Sequence, residues 1–284
     1  MAKQRFVLPT HEKKLEREPS MSSSKWSQAA AHFFPSVPGF SRMLLAHPGS
    51  ALSLLSARFH FFSTHTLKRP FVTRDGFLVE TPNQLASYWS FFVEGECRAP
   101  EWVNALRTET EPLVVDVGAN AGLFTHFVWT MRPDTRFILF EPLPRMAKKI
   151  EDWSAKTHAS VVLHNKAVSN YCGTTSFFAC SESDDTASLD PEAGGQLKFE
   201  VPVVTLDSIL PDRRILVLKI DVEGFECDVL AGAKQTLQRA RYLIIEAHSK
   251  AALHRIKQTL GNEWLDKPVG ASDYFFSRVQ NLKT

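Results

Sequence analysis

The 284-residue chain lacks any run approaching the roughly 18 consecutive apolar residues of a membrane-spanning helix. It is poor in cysteine. The four present, Cys97, Cys172, Cys180 and Cys227, are scattered with no C-x-x-C pair, which supports neither a structural zinc site nor a disulfide framework. Reduced thiols in a cytoplasmic protein are the expectation. Excess charge is also missing: 33 basic residues face 31 acidic ones, a net +2, which argues neither for nor against nucleic acid but makes this no polybasic protein; the domain lacks a clear basic and aromatic stripe, so no nucleic-acid partner is expected. There is no internal repeat. Acidic residues are absent altogether from Pro19 to Arg74, while the rest of the chain is ordinary globular material, 44% hydrophobic and 23% charged overall.

Residues 1–25, charged and Ser-rich with few apolar anchors, are expected to be disordered. Residues 26–70 form an acid-free extension. In it Leu52, Leu55, Phe59 and Phe62 fall at helical spacing, and Pro35, Pro38 and Pro48-Gly49 divide it into short pieces. Three readings stay open for it: a helical extension packing on the domain that follows, a lid or element making peripheral membrane contact, and an organelle-targeting segment.

From residue 71 to 284 the pattern becomes regular. Short apolar strands at Leu113–Val115, Phe137–Phe140, Val161–Leu163, Ile215–Ile220 and Leu243–Ile245 alternate with helical stretches. This predicts an α/β fold, a mostly parallel sheet with helices on both faces. Thr174–Ala179 and Phe199–Val204 look like an inserted hairpin joined by a polar loop through Asp184-Asp185 and Gly194-Gly195. A single helix is expected from about Phe225 to Ala240, another through Leu253, Ile256 and Leu260, and a closing strand at Tyr274–Phe276.

The most informative segment is Asp116-Val117-Gly118-Ala119-Asn120-Ala121-Gly122, between a strand and a helix. Gly118 can adopt backbone angles denied to side chains, and a side chain there would intrude on a ligand; Gly122 lets the helix start close to the sheet. Open α/β sheets bind ligands at this edge. A dinucleotide fingerprint needs a second glycine where Asn120 stands, and Asp116 places a negative charge where a phosphate would sit. Both features suit a cationic ligand without phosphate. S-adenosylmethionine, with its ammonium and sulfonium, is such a ligand. Glu141, ending the next strand before Pro142, can accept bonds from ribose hydroxyls; the competing reading is a cap for the helix that follows.

These residues, with Asn165-Lys166-Ala167-Val168-Ser169, Val204-Thr205-Leu206-Asp207, Leu218-Lys219-Ile220-Asp221-Val222-Glu223-Gly224-Phe225-Glu226, Val229–Ala233 and Ile244-Ile245-Glu246, resemble the FkbM-type S-adenosylmethionine-dependent methyltransferases over residues 71–278. The resemblance implies a class I methyltransferase, Rossmann-like sheet. It implies S-adenosyl-L-methionine as cofactor, bound by Asp116, Gly118, Ala119, Asn120, Gly122, Glu141 and Pro142, and transfer usually to oxygen. It leaves the acceptor open among small-molecule, glycan and lipid-linked hydroxyls. The acidic lead-in between Trp89 and Trp102 matches only loosely, so Glu94 and Glu96 stay unassigned.

Methyl transfer is an in-line displacement, in which positioning supplies much of the rate and a base adds to it. The carboxyl ends of the fourth and fifth strands carry the candidates Asp221, Glu223, Glu246 and His248. Asp221 is expected to contact the methionine end or the acceptor, with Lys219 as a buried partner for one of the acids. His248 is a candidate base. Asp221, Glu223 and Glu246 could offer oxygens to magnesium, but their spacing is not diagnostic and no metal is assigned. Two other classes remain open: an NAD(P)-binding oxidoreductase, and a non-catalytic binding protein on the same fold.

Overall fold

The computed structural model describes residues 70–73, 76–179 and 197–279. The expectations for residues 1–69 and for the polar loop between the hairpin strands lie outside the described residues.

A short antiparallel ribbon, β1 (Phe71–Val72) and β2 (Leu78–Val79), leads into helix α1 (Pro82–Trp89). Thr81 caps α1 by accepting from the Gln84 N–H, and Pro82 supplies a first helical residue that needs no donor. A π-helical turn, Ser90–Glu94, extends it to Gly95, whose positive φ of 81° ends the helix. Helix α2 (Pro100–Thr108) follows, and then the alternating body: β3 (Leu113–Val117), α3 (Leu123–Met131), β4 (Arg136–Phe140), α4 (Pro144–Thr157) and β5 (Ser160–His164). A three-stranded insertion of β6 (Ala167–Val168), β7 (Gly173–Ala179) and β8 (Leu197–Val204) comes next, with β7 and β8 antiparallel as the hairpin pattern predicts. The chain closes through α5 (Leu206–Ile209), β9 (Ile215–Ile220), α6 (Glu226–Ala231), α7 (Lys234–Arg239), β10 (Ala240–Glu246), α8 (Lys250–Leu260), β11 (Trp264–Pro268) and β12 (Asp273–Arg278).

The main sheet has seven strands in the order β11-β12-β10-β9-β3-β4-β5. Neighbours from β10 to β5 pair parallel, whereas β12 pairs antiparallel with both β10 and β11. The central strands are apolar at nearly every position because both faces are covered. Val114, Phe137, Val217 and Ile244 point to the face covered by α1 to α4, where Trp102, Phe127 and Met146 are buried. Val115, Ile138, Leu218 and Ile245 point to the other, under α6 and α8. The class I sheet expected from the sequence is what the chain builds.

Two expectations are corrected. The helix predicted from Phe225 to Ala240 is broken into α6 and α7 at Gly232. The backbone there presses on the chain leaving β6: a Cβ on Gly232 would lie 2.2 Å from the Ser169 carbonyl oxygen. The second piece has no side-chain cap of its own. Its first N–H groups are served instead by Asp207, whose carboxylate accepts from Gln235 N (3.0 Å) and from Thr236 N and Oγ1 (2.7 and 2.8 Å). The closing strand is also joined by a second antiparallel strand, β11, whose alternation Trp264-Leu265-Asp266-Lys267-Pro268 leaves Leu265 exposed and carries too little apolar signal to read as a strand.

Replacing Gly232 with Ala should therefore lower stability by about 1–3 kcal/mol, the range for overpacking a close contact. Its φ of −88° suits alanine, so the cost is steric alone. Urea unfolding of parent and variant measures it.

Candidate active site

The chain leaves β3 for β4 on one side and returns to β9 on the other, so the crevice of the sheet opens between the carboxyl ends of β3 and β9. The Asp221 N–H, just past β9, donates to the Val117 carbonyl (3.0 Å) and closes the two strand ends together. Gly118 makes this approach feasible. Its φ is +77°, and a Cβ would stand 1.8 Å from the Asp221 carbonyl oxygen. The glycine is thus required by its own positive φ, as its place in the loop suggested, and in addition by the neighbouring backbone. Gly122, at φ +80°, sits against Ile150 of α4 and begins α3 without a side-chain cap.

The loop between them is wired internally. Gly118 and Ala119 N–H groups both donate to Phe140 O, and Gly122 N donates to Ala119 O. Asn120, in the left-handed region at φ 51°, accepts the Ala121 N–H on its own Oδ1 (2.6 Å). The Asn120 N–H goes to Glu141 Oε2 (2.7 Å), and the other carboxylate oxygen accepts Leu143 N (2.8 Å) at the start of α4. Glu141 therefore caps the next helix and also faces the crevice. Burial, with Asp116 and Asp221 nearby, pushes its pKa up to about 7 even though two N–H groups favour the charged form. Asn165 braces the same strand end, donating from Nδ2 to the carbonyls of Glu141 (2.7 Å) and Pro142 (3.0 Å).

Two cavities flank this loop. The first, about 110 Å³, is walled by Gly118, Asn120, Glu141 and Pro142 and by apolar Phe140, Leu143, Val168, Phe177, Val222 and Phe225. The second, about 350 Å³, is polar and runs past Ala119 and α1 to Glu96, Asp221, Glu223, Glu246, Ser272 and Asp273. Gly118, Asn120, Asp221 and Glu223 line both. Asp116 and Gly122 line neither. Asp116 lies fully buried below the loop, with Oδ2 accepting from Thr125 Oγ1 (2.8 Å) and Oδ1 unpartnered, its pKa raised by burial.

Three of the four candidate catalytic residues, Asp221, Glu223 and Glu246, line the second cavity, and His248 stands outside its lining against Glu223 and Glu246. Lys219, almost fully buried, donates to Asp221 Oδ2 at 2.7 Å, which is the buried pairing its place in β9 suggested. Burial opposes its charge, but Asp221, Asp116 and Asp273 hold its pKa above the usual lysine value. Burial would likewise raise Asp221; Lys219 and a hydrogen bond from Glu246 outweigh it and keep Asp221 ionised. The proton sits on Glu246, whose pKa burial and the Asp221 carboxylate push up to about 9, against a hydrogen bond from Ser272 (2.9 Å). His248 Nε2 lies 3.0 Å from Glu246 and 3.3 Å from Glu223. Glu223, Glu246 and His248 bring ligand-type atoms within 4.8 Å of one another, so a divalent cation could be held there, but His248 Nε2 already lies within hydrogen-bond reach of both carboxyl groups.

The sequence reading missed the residues brought in from outside the β3–β4–β9–β10 strand ends. Phe177 comes from the insertion and Lys166 from the turn just before it, Asn83, Gln84 and Ser87 from α1, and Ser90 from the π-helical turn that extends it. Asp273 comes from the antiparallel β12; buried against Glu96 and Asp221, it has its pKa pushed up to about 6 despite Lys219. Glu96, left unassigned, lines the second cavity and accepts the Ala271 N–H; Glu94 is exposed and lines neither.

The model for the Methyltransferase FkbM domain matches residues 116–266. The chain is 26% identical over 184 residues to the AMB antimetabolite synthetase AmbE of Pseudomonas aeruginosa, a match covering 49% of this chain and 8% of that protein. It is 24% identical over 160 residues to the 2-O-methyltransferase NoeI of Sinorhizobium fredii, covering 50% of this chain and 65% of that one. It is 24% identical over 180 residues to the hexuronic acid methyltransferase AglP of Haloferax volcanii, covering 61% and 73%. The chain thus spans less than two thirds of the length of the first two.

The proton on Glu246 has a measurable consequence. Between its ordinary value of 4.5 and about 9, the folded chain holds a proton that the unfolded chain has lost, so stability falls as pH rises through that window and levels off above it. Glu246→Gln keeps the donor to Asp221 but cannot ionise. Urea midpoints measured from pH 5 to 9 should fall in the parent across the whole range. In the variant they should fall only below about pH 7, where Glu141 and Asp273 still titrate. Equal slopes above pH 7 would contradict the assignment.

Proposed function

The chain belongs to the FkbM methyltransferase family, and from that premise we propose that it is an S-adenosylmethionine-dependent methyltransferase acting on a hydroxyl oxygen of a small-molecule or glycan acceptor. The observation that carries this reading is the pair of joined cavities at the carboxyl ends of β3 and β9, apolar on one side and acidic on the other. The residues present fit such a cofactor. The apolar cavity, with Phe140, Phe177 and Phe225, suits a purine, and Glu141 at its edge has lone pairs left for ribose hydroxyls. The acidic cavity suits the ammonium and sulfonium. The loop between has no phosphate-binding character, because its N–H groups are already used. Nothing here favours the nicotinamide alternative.

When bound, the cofactor supplies an electrophilic methyl group. The chain's own contribution is to hold the acceptor and take its proton. Asp221 lines both cavities and is kept ionised by Lys219, so it can accept a hydrogen bond from the acceptor hydroxyl and orient it. Glu246 is protonated near neutral pH and so cannot serve as the base from that state; it acts as donor to Asp221. The proton leaves through His248 and Glu223, the two groups at the mouth that are each about half exposed. The similarity to NoeI, a 2-O-methyltransferase, supports transfer to oxygen, and that to AglP, a hexuronic acid methyltransferase, supports a sugar-like acceptor.

Isothermal titration with S-adenosylmethionine tests the proposal: folded protein that fails to bind at millimolar concentration overturns it. Glu141→Ala should weaken that binding by about 1–3 kcal/mol, the range for charge-assisted hydrogen bonds. Because Glu141 also holds Asn120 and Leu143, the role its competing reading as a helix cap described, the variant's melting temperature should fall too. With an acceptor in hand, Asp221→Asn should lower kcat at least ~10²-fold while leaving the cofactor Kd little changed.

A further inference from the structure

The opposite edge of the sheet carries a second, differently charged cleft. It occupies about 380 Å³ at the amino-terminal ends of β9 and β10 and is lined by Arg213, Arg214, Arg239, Arg241 and Arg278, with one acid, Asp212. The topology makes this convergence. Arg213 and Arg214 immediately precede β9, Arg239 and Arg241 bracket the start of β10, and antiparallel β12 brings Arg278 back to the same end, with Ser277 opposite Tyr242.

The arginines outnumber the carboxylates that answer them. Glu109 is shared by Arg214 (3.6 Å) and Arg241 (3.2 Å), and Glu111 by Arg213 (3.5 Å) and Arg136 (2.7 Å). Asp212, whose side chain is 98% exposed, approaches Arg239 at 3.5 Å, and Glu263 meets Arg278 at 2.9 Å. Six arginines thus share four acids in ion pairs among the described residues, with Asp207 a fifth acid in the field of Arg239, so positive charge stays in excess. Donors are left over as well. Arg214 is 62% exposed at its side chain and stands beyond hydrogen-bond length from Glu109, and Arg241 Nε is enclosed without an acceptor. Backbone carbonyls hold other guanidinium groups in place: Leu237 O accepts from Arg278 (2.8 Å) and Pro211 O from Arg239. Arg278 is further fixed over the Trp264 ring at 4.7 Å.

We propose that this cleft is a binding site for a phosphate dianion, free or as the phosphate group of a small phosphomonoester. Guanidinium forks match paired phosphate oxygens, and an anion answers the excess of positive charge in the cleft, which is lined by five arginines and one acid. The cleft is within the size range of small-ligand sites. It is at the other end of the strands from the acidic cavity, so its ligand is not the methyl acceptor. Its occupancy instead brings Glu109, Glu111, Arg213, Arg214 and Arg241 into one ion-pair network that ties α2 and the approach to β3 to β9 and β10.

Isothermal titration of the full chain with inorganic phosphate and, separately, with glycerol phosphate tests the site. Saturable binding at millimolar or lower concentration is expected, weakened about tenfold or more in the Arg213→Gln/Arg214→Gln variant. Asp212→Asn, which removes an exposed acid from the rim and disturbs no buried group, should tighten it. Tighter binding of the ester than of the ion, or the reverse, identifies the source and supports the site in either case. S-adenosylmethionine affinity should be the same in parent and variants, so loss of cofactor binding speaks to the other site alone. No saturable binding in the parent, unchanged binding in both variants, or phosphate that competes with S-adenosylmethionine overturns the proposal.

Discussion

The buried ammonium of Lys219 is the interaction on which the crevice depends. It stands in the middle strand of the sheet, opposite Asp116 of β3 in register, bonded to Asp221 and within the field of Asp273. A lone buried cation or a set of buried carboxylates would each be costly; together they are tolerated because every charge has an opposite neighbour. Three strands and the lead-in around Cys97 therefore meet at one point, and the Cys97 thiol, its pKa raised first by burial and then by Asp273, stays protonated there. Removing one member would strand the others, so the acid at the strand end and the lysine beneath it are best understood as one unit.

That unit also decides the division of labour among the carboxyl groups. Asp221 and Glu246 share a proton rather than acting as two independent anions, and Lys219 determines that the charge rests on Asp221. A cleft lined by Glu96, Asp221, Glu223, Glu246 and Asp273 thereby carries less negative charge than its composition suggests. Such a cleft can admit a cation without first repelling a hydroxylated acceptor.

Much of this was legible in the sequence, for physical reasons that differ by element. The central strands β3, β4, β9 and β10 were plain because burial on both faces writes an unbroken apolar run. Glu141 and Asp221 were plain because each follows directly on such a run. The break at Gly232 was hidden, since nothing in Phe225–Ala240 shows that Ser169 presses on it from another segment. β11 was hidden because a half-exposed edge strand has a weak pattern. In the site, Gly118 was identified for its backbone freedom, but the second reason it is needed, the Asp221 carbonyl, lies 103 residues away in the chain. Phe177, Lys166, Gln84 and Asp273 were missed because they reach the crevice through tertiary packing, which no local spacing reports. The arginines at the opposite ends of the strands are likewise spread over three segments and converge only when β9 and β10 pair in parallel and β12 runs back along β10.

The remote cap on α7 bears on how the chain folds. A helix of six residues has too few internal bonds to outweigh the cost of its first turn, and its opening N–H groups have no acceptor until Asp207 arrives from the segment after β8. Its formation is therefore tied to a contact that closes a loop of nearly thirty residues around β9 and α6, and it cannot nucleate ahead of that closure. Helix α7, the Asp207 segment and the β9–α6 stretch they enclose should consequently behave as one cooperative folding unit, in which amide protons of α7 exchange with solvent only when that unit opens.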